Sequence, residues 1–357
     1  MTTSPTIQDT ELAVEPKWGV ESPSETVFDF DYTGGRDQLL RLYDKGTRRQ
    51  WIGSDRLDWS LDVDPDHPVG MPDELSPLFG TEWWEKWDDK QKGELRRHVE
   101  AWRFSQFMHG EQGALIATAK IVQSVPDLDA KFYAATQVMD EARHVEAYSR
   151  LLHEKMQLAY PITPGLKSLL ETGLSDSRWD MTYLTMQILI EGLALAAFQR
   201  IRDNAKNPLA AAVNAYVMQD EARHVAFGRL ALRDFYPQLS DAERKEREDF
   251  VVTACWHMRD RFNQREVWEQ LDLPVAECLE IVDQSESMKL FRSRIFSHIV
   301  PTVKDIGLWG PQVREAFAAM GAIEFAKVDA GALLENDARV AEEFDARTRL
   351  REAAVPG

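Results

Sequence analysis

Residues 140–145 read Asp-Glu-Ala-Arg-His-Val, and residues 220–225 repeat the same six letters. The repeat extends upstream: Glu111 stands thirty positions before Glu141, and Glu191 stands thirty before Glu221. Equal spacing in two segments reads as a duplicated hairpin. Within each copy the Glu and His are three residues apart, so on a helix both side chains leave one face within about one turn. For Glu111 to meet Glu141 across an antiparallel hairpin, the turn must fall near residue 126, where Pro126 stands in Ser-Val-Pro-Asp. The second midpoint is residue 206, inside Lys206-Asn207-Pro208. Proline interrupts helices, so both breaks fall where facing Glu and Glu-x-x-His helices require them.

Outward from the repeat, four long helical stretches are expected over residues 93–125, 128–158, 178–204 and 208–236, none with an internal proline. The segment between the second and third holds Pro161, Pro164 and Gly165 and a short helix near 166–172, long enough for a crossover rather than a tight turn. Further helical patterns follow near 241–271, 274–296 and 310–325, and a short helix over 37–51 precedes a Pro- and Asp-rich wrapping loop. No alternating Val/Ile/Thr run sits between turn signals. The expected class is all-α, a four-helix bundle with a long crossover and extra N- and C-terminal helices. It divides into a mobile arm (1–28), a covering segment (29–92), the bundle (93–236), accessory helices of the same domain (237–336) and a charged tail (337–357). The tryptophans at 51, 59, 83, 84, 87 and 102 are expected to cover the bundle surface.

The helix faces that carry the acids are otherwise apolar. Phe104, Phe107, Met108, Ala114 and Leu115 share a stripe with Glu111, while Leu184, Ile188, Ala194, Leu195 and Phe198 share one with Glu191. A lone carboxylate buried there costs several kcal/mol unless it is paired or binds a cation. Four converging carboxylates repel one another, and two divalent cations relieve that repulsion. Glu111, Glu141, His144, Glu191, Glu221 and His224 form a hard, oxygen-rich donor set that suits iron or manganese rather than structural zinc.

Composition narrows the rest. With 357 residues and 44% apolar side chains the chain can bury a sizeable core. Its formal net charge of -18 argues against nucleic-acid and anionic-membrane surfaces. Cys255 and Cys278 are too few for a disulfide framework and read as inert thiols. The first fifteen residues lack a basic start and an apolar stretch, and the apolar run 188–198 is broken by Glu191, so a cytoplasmic protein without a membrane span is expected.

With these residues in place, the chain resembles the ferritin-like di-iron oxygenase superfamily. That group includes the bacterial multicomponent monooxygenase hydroxylases, the small subunit of class I ribonucleotide reductase and the soluble acyl-carrier-protein desaturases. The likeness covers roughly residues 93–236. It implies two iron ions, with manganese at one position as the alternative. Glu111, Glu141 and His144 would hold one metal and Glu191, Glu221 and His224 the other, with one or more carboxylates bridging. By the same likeness Asp140 and Asp220 orient the histidines, and Arg143 and Arg223 hold those aspartates. Tyr148, four residues after His144, stands at the offset where the reductase subunit carries a stable radical.

The activity so implied is dioxygen activation that hydroxylates, N-oxygenates or desaturates a small organic or acyl substrate. No Gly-rich flavin or nicotinamide motif is present, so electrons come from an external reductase or ferredoxin-like donor. A homodimer is in keeping with the resemblance. A tyrosyl-radical reductase-like protein and a ferritin-like iron store are the competing readings. The chain departs from its relatives at Leu195, where the multicomponent hydroxylases carry threonine, and at Val217, where arylamine N-oxygenases add a third histidine.

Overall fold

The computed structural model describes residues 17–33 and 35–354; residues 1–16, most of the expected N-terminal arm, lie outside the described residues, as do 355–357. Among the described residues there is no strand. The first helix, α1 (Asp37–Arg48), is followed by the long α2 (Asp89–Ser124) and by α3 (Leu128–Arg150), which continues as a wide π-helical turn, Leu151–Met156. The crossover holds α4 (Pro164–Ser175) and leads into α5 (Trp179–Asn204) and α6 (Pro208–Phe235). Helices α2, α3, α5 and α6 form the bundle, with α2 against α3 and α5 against α6.

Local chemistry sets each boundary. Asp88 and Gln91 make a reciprocal capping box that starts α2 four residues earlier than its apolar pattern indicates. Asp127 accepts from the Ala130 amide at 3.1 Å and Asn207 from the Ala210 amide at 3.0 Å, so the two hairpins open their second helices with matching caps. Thr163 caps α4, whose first residue is proline.

α5 is long and apolar enough to cross a membrane, but 89% of its most apolar window is buried inside the protein. It is the bundle's central helix. Its middle, Leu184–Ile190, is π-helical and ends at Glu191. Such wide turns commonly mark functional positions within helices.

Three expected helices are shorter than their patterns. The 241–271 stretch breaks into α7 (Asp241–Asp260) and Arg265–Gln270, because Gln264 adopts a left-handed conformation at φ 56°. Residues 274–296 split at Ser285 into Val275–Gln284 and Glu286–Arg294, and the 310–325 pattern forms only Pro311–Ala319 before Gly321 turns at φ 71°. The last helix, α8 (Ala330–Ala354), runs along α6, and its buried Asp337 meets His298 Nε2 at 2.8 Å.

The N-terminal segments seal the bundle. The Val27 amide donates to the Gln123 carbonyl at 3.0 Å, and Arg36 donates to Asp127 at 2.9 Å and also pairs with Asp234. These contacts tie the segment to the first hairpin turn and to the end of α6.

Gly228, four residues after His224, is a packing position rather than an opening beside the site. A Cβ there would lie 2.5 Å from Gln187 Cβ on the π-helical turn. Gly228→Ala is therefore expected to push α6 off α5 and cost about 1–3 kcal/mol by overpacking. Urea unfolding midpoints of the two proteins check this, and an unchanged midpoint would contradict the close approach.

Candidate metal centre

The bundle brings all six expected acids and imidazoles to one point. Glu111 comes from α2, Glu141 and His144 from α3, Glu191 from α5, and Glu221 and His224 from α6. None is more than 5% exposed. Their donor atoms fall into two groups, each spanning less than 4.8 Å: Glu111, Glu141, His144 and Glu221, and Glu141, Glu191 and His224. The grouping is less segregated than two separate triads. Glu141 presents Oε2 at 3.3 Å to His144 Nδ1 and Oε1 at 3.1 Å to His224 Nδ1. Glu221 Oε1 lies 3.3 Å from His144 Nδ1 and 3.4 Å from His224 Nδ1. Both carboxylates therefore stand between the two halves, while Glu111 and Glu191 sit at opposite ends.

The outer side of each imidazole is held across the repeat. His144 Nε2 faces Asp220 at 3.1 Å, and His224 Nε2 faces Asp140 at 3.1 Å, so each copy's aspartate serves the other copy's histidine. Each aspartate is braced by the arginine three residues on, in the pairs Arg143–Asp140 and Arg223–Asp220. Arg143 also reaches Asp220 at 3.4 Å and Arg223 lies 3.7 Å from Asp140, which closes a buried four-residue ring. With Nε2 committed to carboxylates, both histidines turn Nδ1 toward the centre.

Three contributors are absent from the sequence pattern. Gln137, fully buried one turn before Glu141, donates to Glu141 Oε1 at 3.0 Å and to Glu191 Oε1 at 2.9 Å. Its place on the ligand face four residues before a Glu was the available signal. The corresponding residue of the second copy is Val217, also buried. Trp51 corrects the expectation of a surface cover: only 5% exposed, it donates Nε1 to Asp220 at 2.8 Å and stacks on His144. Gln50 donates to Asp140 at 2.8 Å. Both lie far from the repeat in sequence, and no local pattern marks them.

Tyr148 is buried among Phe104, Phe107 and Phe198, its hydroxyl donating to Asn214 Oδ1 at 3.3 Å. His98 and His109 are engaged by the Tyr160 hydroxyl and carbonyl.

Electrostatics test whether cations fit here. Burial, and then the charge of Glu221, hold the carboxyls of Glu111 and Glu191 well above the ordinary range. Burial pushes Glu141 the same way, but the two imidazoles outweigh it and hold its carboxyl low. Burial opposes protonation of His144, yet Asp220 and Glu111 raise it well above the usual imidazole value. Both Glu221 oxygens, Glu141 Oε2, Glu191 Oε2 and His224 Nδ1 are buried without a hydrogen-bond partner. Buried polar atoms in native proteins are almost always satisfied, so five such atoms aimed at one point call for ligands other than protein groups. Two divalent cations balance the four carboxylates, and the aspartate–arginine ring is neutral by itself.

A buried bundle site of four carboxylates and two imidazoles defines a non-haem di-iron oxidoreductase. A family model for P-aminobenzoate N-oxygenase AurF matches residues 34–307, and the chain belongs to that family. No curated protein sequence matches it. Among solved structures it is similar to a variant of an R2-like ligand-binding oxidase with an anaerobically reconstituted Mn/Fe cofactor, at 16% identity and a TM-score of 0.49, covering 78% of this chain and 96% of that one. Another is an R2-like ligand-binding oxidase with an aerobically reconstituted metal cofactor after photoconversion, at 15% identity and a TM-score of 0.39, covering 89% and 94%.

The shared and unshared carboxylates are expected to differ on substitution. After anaerobic ferrous loading, Glu141→Ala or Glu221→Ala should lose both metals, whereas Glu111→Ala or Glu191→Ala should retain close to one per chain. Elemental analysis of desalted protein reads this, and equal losses from all four variants would refute the shared geometry. Asp220→Asn, which weakens the brace on His144, should lower metal affinity about 10–100-fold in a chelator competition.

Proposed function

We propose that the protein oxygenates the amine nitrogen of an aromatic substrate held in a pocket on the α2–α5 side of the centre, with Glu111, Glu141, His144, Glu191, Glu221 and His224 as the metal ligands. The pocket carries the reading. It is a narrow pocket lined by Glu111, Glu191 and Glu221, with Phe107, Ile190, Leu193 and Phe198 among its apolar walls. Its single cationic lining residue is Arg261, at the end of α7. Among the described residues no acid lies within ion-pair distance of that guanidinium, its buried Nε has no partner, and burial pushes its pKa down to about 10. Gln106, the other polar wall residue, is already occupied by Pro161 O and the Thr163 amide.

A largely apolar pocket lined by carboxylates and one arginine without an ion-pair partner suits a planar ring that carries an amine and an acyl oxygen. The family's named compound, p-aminobenzoate, has that layout. In this reading Arg261 takes the acyl oxygen and points the amine at the carboxylates, while the apolar walls exclude water. Gln137 holds Glu141 and Glu191 in place from behind. The bound metals, when present, supply the dioxygen-reducing chemistry. One oxygen atom goes to nitrogen and the other leaves as water, with two electrons and two protons from an external donor.

Val217 favours a second reading. Without a third imidazole at that position, oxidation of a C–H bond by hydroxylation or desaturation competes with N-oxygenation.

Iron-loaded protein given p-aminobenzoate, a chemical reductant and oxygen is expected to yield products that gain oxygen on nitrogen, identified by mass spectrometry against authentic hydroxylamine and nitro standards. Ring-hydroxylated product or loss of two hydrogens would support the second reading, and no turnover of any arylamine would overturn the first. Arg261→Gln should raise KM for p-aminobenzoate roughly 10–100-fold, the loss of about 1.5–3 kcal/mol from a charged hydrogen bond, and leave an aniline without an acyl group unaffected.

A further inference from the structure

The molecule carries a formal charge of -18, yet three arginines outside ion-pair contact with any acid among the described residues line neighbouring cavities beside the substrate pocket. Arg103 and Arg200 line one cavity, between α2 and α5, and Arg200 and Arg294 line the next, a groove of about 1100 Å³ including its open mouth. Among the described residues no carboxylate comes within 4.0 Å of any of the three guanidinium groups. The nearby acids have closer partners: Asp203, on the outer groove, pairs with Arg202 at 2.8 Å, Asp73 pairs with Arg96 at 2.7 Å, and Glu100, whose charge Arg103 feels beyond ion-pair distance, accepts from the Val69 amide at 2.7 Å. Arg200 rests on the Phe291 ring at 4.8 Å. Burial, with the like charges of Arg103 and Arg294 added, pushes its pKa down to about 10. A fold this rich in acid had ample means to pair these cations, and leaving them together costs stability unless an anion joins them.

The groove and the pocket over the metal site are linked through the cavity between them, which shares wall residues with each. Phe107 lines both the Arg103–Arg200 cavity and the pocket over the metal site, and Arg200 and Phe291 line both that cavity and the outer groove. Phe107 and Phe198, in edge contact at 4.8 Å, mark the junction. Arg103 lies eight residues before Glu111 and Arg200 nine after Glu191, which at the helical rise places them roughly 12–14 Å along the bundle from the metal carboxylates. A free aminobenzoate spans only about half that distance.

We propose that Arg200 and Arg294 in the outer groove, with Arg103 in the adjoining cavity, bind the phosphate of an extended arm on which the substrate is carried, so that the native substrate is a phosphate-terminated acyl derivative rather than a free aromatic acid. This rests on the oxygenase reading for the group it delivers, while the phosphate site stands on its own geometry. Two guanidinium groups on one groove match a phosphate ester in charge and hydrogen-bond chemistry. Leu75, Trp102 and Met288 give the arm an apolar bed, and Arg261 meets the acyl oxygen at the inner end.

The test is calorimetric titration of the iron-loaded full-length protein, without oxygen, with p-aminobenzoyl thioesters of pantetheine, pantetheine 4′-phosphate and coenzyme A. The phosphorylated arm should bind at least ten-fold more tightly than the unphosphorylated one, with a preference that falls as salt rises. Exposed Arg294→Gln and half-buried Arg200→Gln should each remove most of that preference, thermal midpoints confirming that the variants fold. Equal binding of the two phosphorylated thioesters identifies the phosphate ester as the recognised group, and tighter binding of the coenzyme A form adds a nucleotide to it; both support the groove. Equal affinity with and without phosphate, or a preference intact in both variants, overturns it. If the preference holds but no arylamine is oxidised, the oxygenase reading fails and the phosphate site remains.

Discussion

Four buried carboxylates share one small volume inside the bundle, and the rest of the structure is arranged around that constraint. Unneutralised, the cluster is at odds with itself: Glu111 and Glu191 are driven toward the protonated form while His144 is driven toward the charged one. Partial ion pairing within the cluster is the best the protein alone achieves, and it still leaves oxygens of Glu141, Glu191 and Glu221 orphaned. Cations with a fixed place among these donors convert a destabilising core into a stable one, because the binding free energy of a group that meets only the folded chain adds to folding stability. α5, apolar on nearly every side, tolerates Glu191 for that reason.

The repeat does more than double the buried acids and imidazoles. Since Asp140 supports His224 and Asp220 supports His144, neither hairpin completes its own half of the centre. The two hairpins must dock before either imidazole is oriented, and the Arg143–Arg223 ring locks that docking with buried charge-assisted hydrogen bonds. Trp51, stacked on His144 and bonded to Asp220, extends the lock to the covering segment. Folding, metal geometry and closure of the N-terminal cover are thereby coupled through one side-chain network.

Much of this was legible in the sequence. The identical hexapeptides, the thirty-residue intervals and the two turn signals located the helices to within a few residues, because helical period and chain reversal are local properties. The crossed aspartate–histidine pairing was not legible, since both pairings satisfy the same spacing and only the relative rotation of the hairpins decides between them. Gln137 could have been noticed from its face. Arg261, Arg200 and Arg294 could not, because an arginine's significance here lies in the acids that fail to reach it, and that is set by tertiary packing. The accessory helices were overextended for a related reason: their apolar periodicity runs on through Gln264 and Ser285, where the backbone breaks.

The centre's approximate twofold symmetry fails at Gln137 and Val217, among other positions, and that failure gives it direction. Gln137 and Val217 occupy the same place in their copies, one turn before a carboxylate that stands between the two halves. Gln137 clamps Glu141 and Glu191 with two hydrogen bonds, whereas Val217 offers Glu221 none, and both Glu221 oxygens are without a donor. The pocket opens over Glu221 and not over Glu141. One shared carboxylate is therefore fixed on the closed side, and the other, facing the substrate space, is free to change how it reaches toward either half. A centre that admits a reactant on one face needs that inequality, and Gln137 against Val217, in turns that also differ at 138/218 and 139/219, supplies it.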